Sequence, residues 1–132
     1  AIERTTEKFE KLNTRLKNHP DIRNLFIAHA DAAVLLPHLF HQRQLSVSQY
    51  FVLYPNPYPK SKHKNLRFAH SPLTDFLVKT LKPGGILQFA TNIKSYADEL
   101  IDVLQSRLPL RLIEYLDLSQ SNPQIRSEYI QF

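Results

Sequence analysis

Three prolines at alternate positions, Pro55, Pro57 and Pro59, restrict what this chain can fold into more than any other feature. Each fixes φ and lacks an N–H, so the segment belongs in neither a helix nor the interior of a sheet ladder. The residues just before them, Tyr50-Phe51-Val52-Leu53, form a short, apolar, β-favouring run and predict a buried strand. Just after them come Lys60, Lys62, Lys64 and Arg67, with His63 among them. A stiff cationic loop leaving the end of a buried strand is where an open α/β sheet places its ligand. Residues 51–67 are therefore the first candidate for function.

Charge points to the same place. The net charge is +5, and no carboxylate occurs between Asp31 and Asp75, where Arg43 and the four loop cations lie with His38, His41, His63 and His70. Cations and carboxylates balance over the rest of the chain, so the whole excess sits in one segment. Localised positive charge implies a polyanionic partner, while the plainer reading is a solvated loop kept soluble by its lysines. At 132 residues, 42% of them hydrophobic, the chain reads as one soluble domain spanning residues 1–132. No apolar run approaches the ~20 residues of a membrane span, and no leader pattern opens the chain. The absence of cysteine excludes disulfides and thiolate metal sites, and makes an intracellular, cytoplasmic address the default.

Periodicity predicts an alternation of helices and strands. Phe9, Leu12 and Leu16 recur at helical spacing within Thr5 to Lys17, with Thr5 or Thr6 as cap and Asn18-His19-Pro20 as stop. A short strand over Leu25 to Ala28 ends near His29, and Ala32 to Phe40 reads as a helix broken or kinked at Pro37. Gln42 to Ser48 is a polar connector. Ser71 caps a helix from Pro72 to Thr80, Lys82 to Gly85 is a turn, and Ile86 to Ala90 is a strand. A helix over Ser95 to Arg107 buries Tyr96, Leu100, Val103 and Leu104. A strand over Leu110 to Leu116 and an exposed loop over Ser119 to Gln124 follow. This order argues a parallel α/β sheet. Ala1-Ile2-Glu3 runs straight into a helix, as the tail of a strand runs into its crossover. The expectation is a partial domain without its first strand and glycine-rich turn.

Several stretches are identifiable together. Tyr54 to Lys60 (YPNPYPK), followed by Lys62-His63-Lys64, resembles the F-P-D-P-W-x-K-x-R-H-x-K-R-R signature of the tRNA (guanine-N7-)-methyltransferase family. Leu81 to Thr91 (LKPGGILQFAT), followed by Tyr96-Ala97, resembles that family's L-K-P-G-G-x-L-x-x-A-T-D-x-x-x-Y-A. Ile2-Glu3 resembles a G-I-E at the end of the second strand, and Ala30-Asp31-Ala32 resembles an H-D-A. The resemblance implies a Rossmann-like class I methyltransferase sheet that binds S-adenosylmethionine and methylates a guanine in tRNA. By that resemblance Glu3 holds the cofactor ribose, Asp31 contacts its adenine, and Asn56 occupies the position of the catalytic-pocket aspartate beside the cofactor. Lys60, Lys62, His63, Lys64 and Arg67 face the tRNA, Asn92 stands at a second substrate-binding aspartate, and Ser127-Glu128-Tyr129 resembles an element that closes the pocket. Asn56, Asn92 and Ile130 each put an uncharged group where the family carries a carboxylate.

Each role has a plainer counterpart. Glu3 also suits the N-terminus of the following helix, Asp31 suits an N-cap, and Asn56 suits a turn in which its side chain bonds its own backbone. Tyr54 and Tyr58 stack on a base or pack under the loop, and the scattered histidines form no metal site. Two functional readings compete with the methyltransferase of tRNA guanine. One is a non-catalytic relative that binds RNA, supported by the three lost carboxylates. The other is a methyltransferase for a different base or amine, since Asn56-Pro57-Tyr58 loosely resembles an N-P-P-Y element. Oligomeric state is not legible in these residues.

Overall fold

The structure, a computed structural model, describes residues 1–43, 45–117 and 128–132, with the backbone alone at Glu128 and Tyr129. The chain falls into two compact units, Ala1–Leu45 and Ser46–Phe132.

The first unit is a parallel pair joined by a helix. Strand β1 (Ile2–Glu3) lies parallel to β2 (Ala28–His29), with Glu3 opposite His29. Between them runs α1 (Thr6–Lys17), ending at Asn18 as the sequence predicts. Thr5 is the N-cap but makes no side-chain cap bond. The Glu3 carboxylate instead accepts the N–H of the cap residue itself, Thr5, at 2.7 Å. His29 stacks on Phe9 with ring centroids 4.9 Å apart and reaches the Arg4 carbonyl at 3.1 Å, tying helix to strand. The expected strand over Leu25 to Ala28 is shorter than predicted, because β1 offers partners to Ala28 and His29 only. Helix α2 (Ala32–Gln42) starts from an Asp31 cap whose Oδ1 accepts the Ala33 N–H at 2.8 Å. It runs through Pro37, which removes one backbone bond without ending the helix.

The second unit is a four-stranded sheet in the order β3-β4-β6-β5, covered on one face by two helices. Strands β3 (Val47–Leu53) and β4 (Leu81–Thr91) are parallel, while β6 (Glu128–Gln131) runs antiparallel to both β4 and β5 (Glu114–Asp117). The sheet is thus mixed, not parallel throughout. Helices α3 (Pro72–Thr80) and α4 (Lys94–Arg107) fall where periodicity places them, with Ser71 capping α3 through the Leu73 N–H. Their buried residues Leu77, Tyr96, Ala97, Leu100 and Leu104 make up the core together with Leu87 and Phe89 of β4, Ile130 of β6 and Phe132. The Phe89 ring touches Phe68 and Phe132 edge-on at 5.3 and 6.1 Å. Its complete burial contributes about 1.5–3 kcal/mol.

Strand β3 corrects one expectation. The apolar run predicted a buried strand, yet Phe51 and Leu53 are 60% and 63% exposed. Successive residues of a strand point to opposite faces, and the helices cover only the face of Tyr50 and Val52. The opposite face carries a ladder of amides, Gln49 to Gln88 to Gln131, with both bonds at 2.8 Å.

The Lys82 to Gly85 turn sits inside β4 as an irregularity: Leu81 pairs with Val47, and the next pair is Ile86 with Gln49. Gly84 has φ +73°, and a Cβ on Gly85 would lie 2.7 Å from Leu81 Cγ. The expected loop over Ser119 to Gln124 lies outside the described residues.

Candidate functional site

Parallel pairing fixes which residues leave the sheet together. Leu53, the last residue of β3, pairs with Ala90, and the Tyr54 N–H donates to the Ala90 carbonyl at 2.7 Å. Asn56 therefore follows the carboxyl end of β3 and Asn92 follows the carboxyl end of β4, on neighbouring strands. Both are exposed. Antiparallel β6 begins at the same edge, because Glu128 pairs with Thr91. The structure thus brings Asn56, Asn92 and the backbone of Glu128 to one rim of the sheet. Ser127 and the side chains of Glu128 and Tyr129 lie outside the described parts of the chain.

The proline loop keeps its shape by specific bonds. Tyr54 and Tyr58 take left-handed backbone, φ 50° and 43°. Asn56 Oδ1 accepts the Tyr58 N–H at 3.1 Å, the turn geometry weighed against its functional role. A 3₁₀ helix over Ser61–Leu66 follows, in which Lys62 and Lys64 are exposed, as is Lys60 before it, and His63 is half-buried with its ring edge-on to Tyr58 at 6.2 Å. The three lysines stand out from the fold.

Arg67 is placed differently. Its Nη1 bonds Glu99 Oε2 at 2.5 Å, its Nε donates to the Tyr58 carbonyl at 3.1 Å, and its Nη2 reaches the Pro59 carbonyl at 3.5 Å. Glu99 turns its other oxygen to His70 Nε2 at 3.1 Å. Burial works against the Glu99 carboxylate, but the hydrogen bonds from His70 and Arg67 outweigh it and hold its pKa below the ordinary value. Beside this cluster the Tyr96 hydroxyl accepts the Phe68 N–H at 3.1 Å, and burial raises its pKa. Glu99 was missed in the sequence because it reads as an ordinary charge on a helix; the signal was its place one turn after the core residue Tyr96.

In the first unit, Glu3 ends β1 and Asp31 follows β2 by two residues, so both acids occupy the carboxyl edge of that parallel pair. The Thr5 N–H bond holds the Glu3 pKa below its ordinary value. Asp31 also lies 3.7 Å from the Arg4 guanidinium. Ile130 departs from expectation. Standing where the resembled family carries a carboxylate, it pairs with Phe89 in β6 and is fully buried in the core. Among the described residues no group of three or more His, Asp or Glu is placed to hold a metal, and no helix is long and apolar enough to cross a membrane.

These features define a class. A chain from Streptococcus mutans described as "a putative sam-dependent methyltransferase" matches this fold with TM-score 0.66, at 13% identity, over 98% of this chain and 36% of that one. The fold is that of a Rossmann-like methyltransferase. A family model described as "Putative methyltransferase" matches residues 1–130, and the chain belongs to that methyltransferase family. Curated relatives named tRNA (guanine-N(7)-)-methyltransferase are similar to parts of it. The protein of Azorhizobium caulinodans is 41% identical over 75 residues, 57% of this chain and 31% of the relative. That of Salmonella typhimurium is 30% identical over 105 residues, 80% of this chain and 41% of the relative. That of Francisella philomiragia is 31% identical over 88 residues, 67% of this chain and 38% of the relative. The chain spans 31–41% of the length of these relatives.

Proposed function

We propose that this chain is part of a single methyltransferase domain that transfers a methyl group from S-adenosylmethionine to N7 of a guanine in tRNA, in the cytoplasm. The observation that carries the reading is the rim of the second sheet. There a proline-stiffened loop with Asn56 and exposed Lys60, Lys62 and Lys64 leaves one parallel strand beside Asn92 at the end of the next. The names of the curated relatives support the substrate.

The acids of the first unit fit the donor. Ionised Glu3 at the end of β1 would accept hydrogen bonds from the ribose hydroxyls, and Asp31 would meet the adenine. When bound, the cofactor supplies an electrophilic sulfonium methyl. Guanine N7 carries a free lone pair, so no residue has to remove a proton and the site works by holding the base in line. A neutral Asn56 is compatible with that chemistry. Lys60, Lys62, Lys64 and His63 would hold tRNA phosphates, a sequence-blind contribution that weakens with salt. Asn92 would flank the base.

A second reading, an RNA-binding relative without turnover, is favoured by the Asn56 bond to the Tyr58 N–H. An aspartate in that turn would keep a second oxygen for the guanine N–H groups, whereas asparagine keeps a donor amide. The test is methyl transfer from labelled cofactor to bulk tRNA by the full-length protein. The proposal predicts incorporation. Tight tRNA binding with no incorporation would leave the second reading standing.

A further inference from the structure

The left-handed backbone at Tyr58 persists only because its surroundings over-determine it. Two side chains do so. Asn56 accepts the Tyr58 N–H, and Arg67 Nε donates to the Tyr58 carbonyl at 3.1 Å while Nη2 reaches the Pro59 carbonyl. Arg67 is itself gripped from helix α4, where Glu99 Oε2 meets Nη1 at 2.5 Å and both side chains are 18% exposed. The neighbouring cations of the loop, Lys60, Lys62 and Lys64, are exposed. Arg67 thus spends three of its five N–H groups on protein oxygens and offers a phosphate less than the exposed lysines do.

We propose that Arg67 and Glu99 form a positioning pair, a brace from α4 that sets the Tyr58–Pro59 turn and with it the placement of Asn56 and the three lysines, without touching RNA. Its purpose rests on the function proposed above; the brace itself does not. Arg67 is thereby moved from the substrate contacts to the scaffold beneath them. Lysine is a poor substitute, because one ammonium cannot reproduce the planar fork that reaches Glu99 and two carbonyls from three separate nitrogens.

The test uses the full-length protein with Arg67→Lys, Glu99→Gln, their double variant, and Lys62→Ala for comparison. Amide hydrogen exchange is expected to speed up by about tenfold at Tyr58 and His63 in both brace variants, with the double variant no worse than either single one, while β4 and α4 stay protected. Lys62→Ala leaves that exchange unchanged and lowers the salt slope of tRNA binding by about 0.7–0.9. Glu99→Gln removes an anion, so attraction alone would tighten tRNA binding; weaker binding at unchanged salt slope is the positioning signature. Unchanged exchange in both brace variants overturns the proposal. So does Arg67→Lys with normal exchange, or a loss of protection that spreads through β4 as general unfolding. Faster loop exchange in a protein that binds no tRNA in any form supports the brace and removes the substrate reading.

Discussion

Asn56 offers one terminal oxygen and one terminal amide, and the Tyr58 N–H takes the oxygen. What the side chain retains for a base is therefore chiefly a donor. Asn56→Asp keeps the turn and adds a charged acceptor, so guanine methylation by the full-length protein should rise about tenfold, the equivalent of ~1.4 kcal/mol. Steady-state rates on tRNA check this. Glu99 carries a pH consequence. Its folded pKa lies below its unfolded value, so it contributes stability that is present above the unfolded value, near ~4.3, and is lost as pH falls through the folded one. Glu99→Gln should therefore flatten the acid limb of stability against pH below about 4.5, measured by denaturant melts, and leave the limb above pH 7 unchanged. At Ile130, Ile130→Glu restores the acid of the resembled signature but places it in a fully buried strand opposite Phe89. It should lower unfolding free energy by on the order of 3 kcal/mol or more and gain no activity. The motif registers were legible in the sequence at Asn56, Asn92 and the lysines. What Arg67 and Ile130 do was not, because the first depends on Glu99, 32 residues away, and the second on a strand whose pairing is non-local.

At the scale of elements, the helices were the most legible. Ser71 with Pro72 marks the start of α3, and apolar residues one turn apart mark the buried side of α4. Strands were less so. The four residues of β6 have polar ends and show no apolar alternation, and antiparallel β6 turned a predicted parallel sheet into a mixed one. The run Tyr50 to Leu53 predicted a buried strand, which composition alone cannot distinguish from an alternating strand with one helix-covered face. The cationic loop behaves as one element after β3. Replacing Lys60, Lys62 and Lys64 together by alanine should reduce the slope of log affinity for tRNA against log salt by about 2–3 and weaken binding to unrelated RNAs equally. A slope unchanged within error would return these lysines to the role of solubilising charge.

Over the whole molecule, both parallel pairs put their candidate residues at carboxyl ends: Glu3 and Asp31 in the first unit, Asn56 and Asn92 in the second. Open α/β sheets bind ligands at that edge because loops and helix starts converge there. The chain belongs to a methyltransferase family, and the proposed methyl transfer to tRNA assigns the donor to the first pair and the polyanionic acceptor to the lysine loop. The most direct measurement is mass analysis of nucleosides from tRNA incubated with the full-length protein and S-adenosylmethionine. The account predicts 7-methylguanosine, in larger amount with Asn56→Asp. A different methylated nucleoside, or none from a protein that binds both tRNA and cofactor, would contradict it.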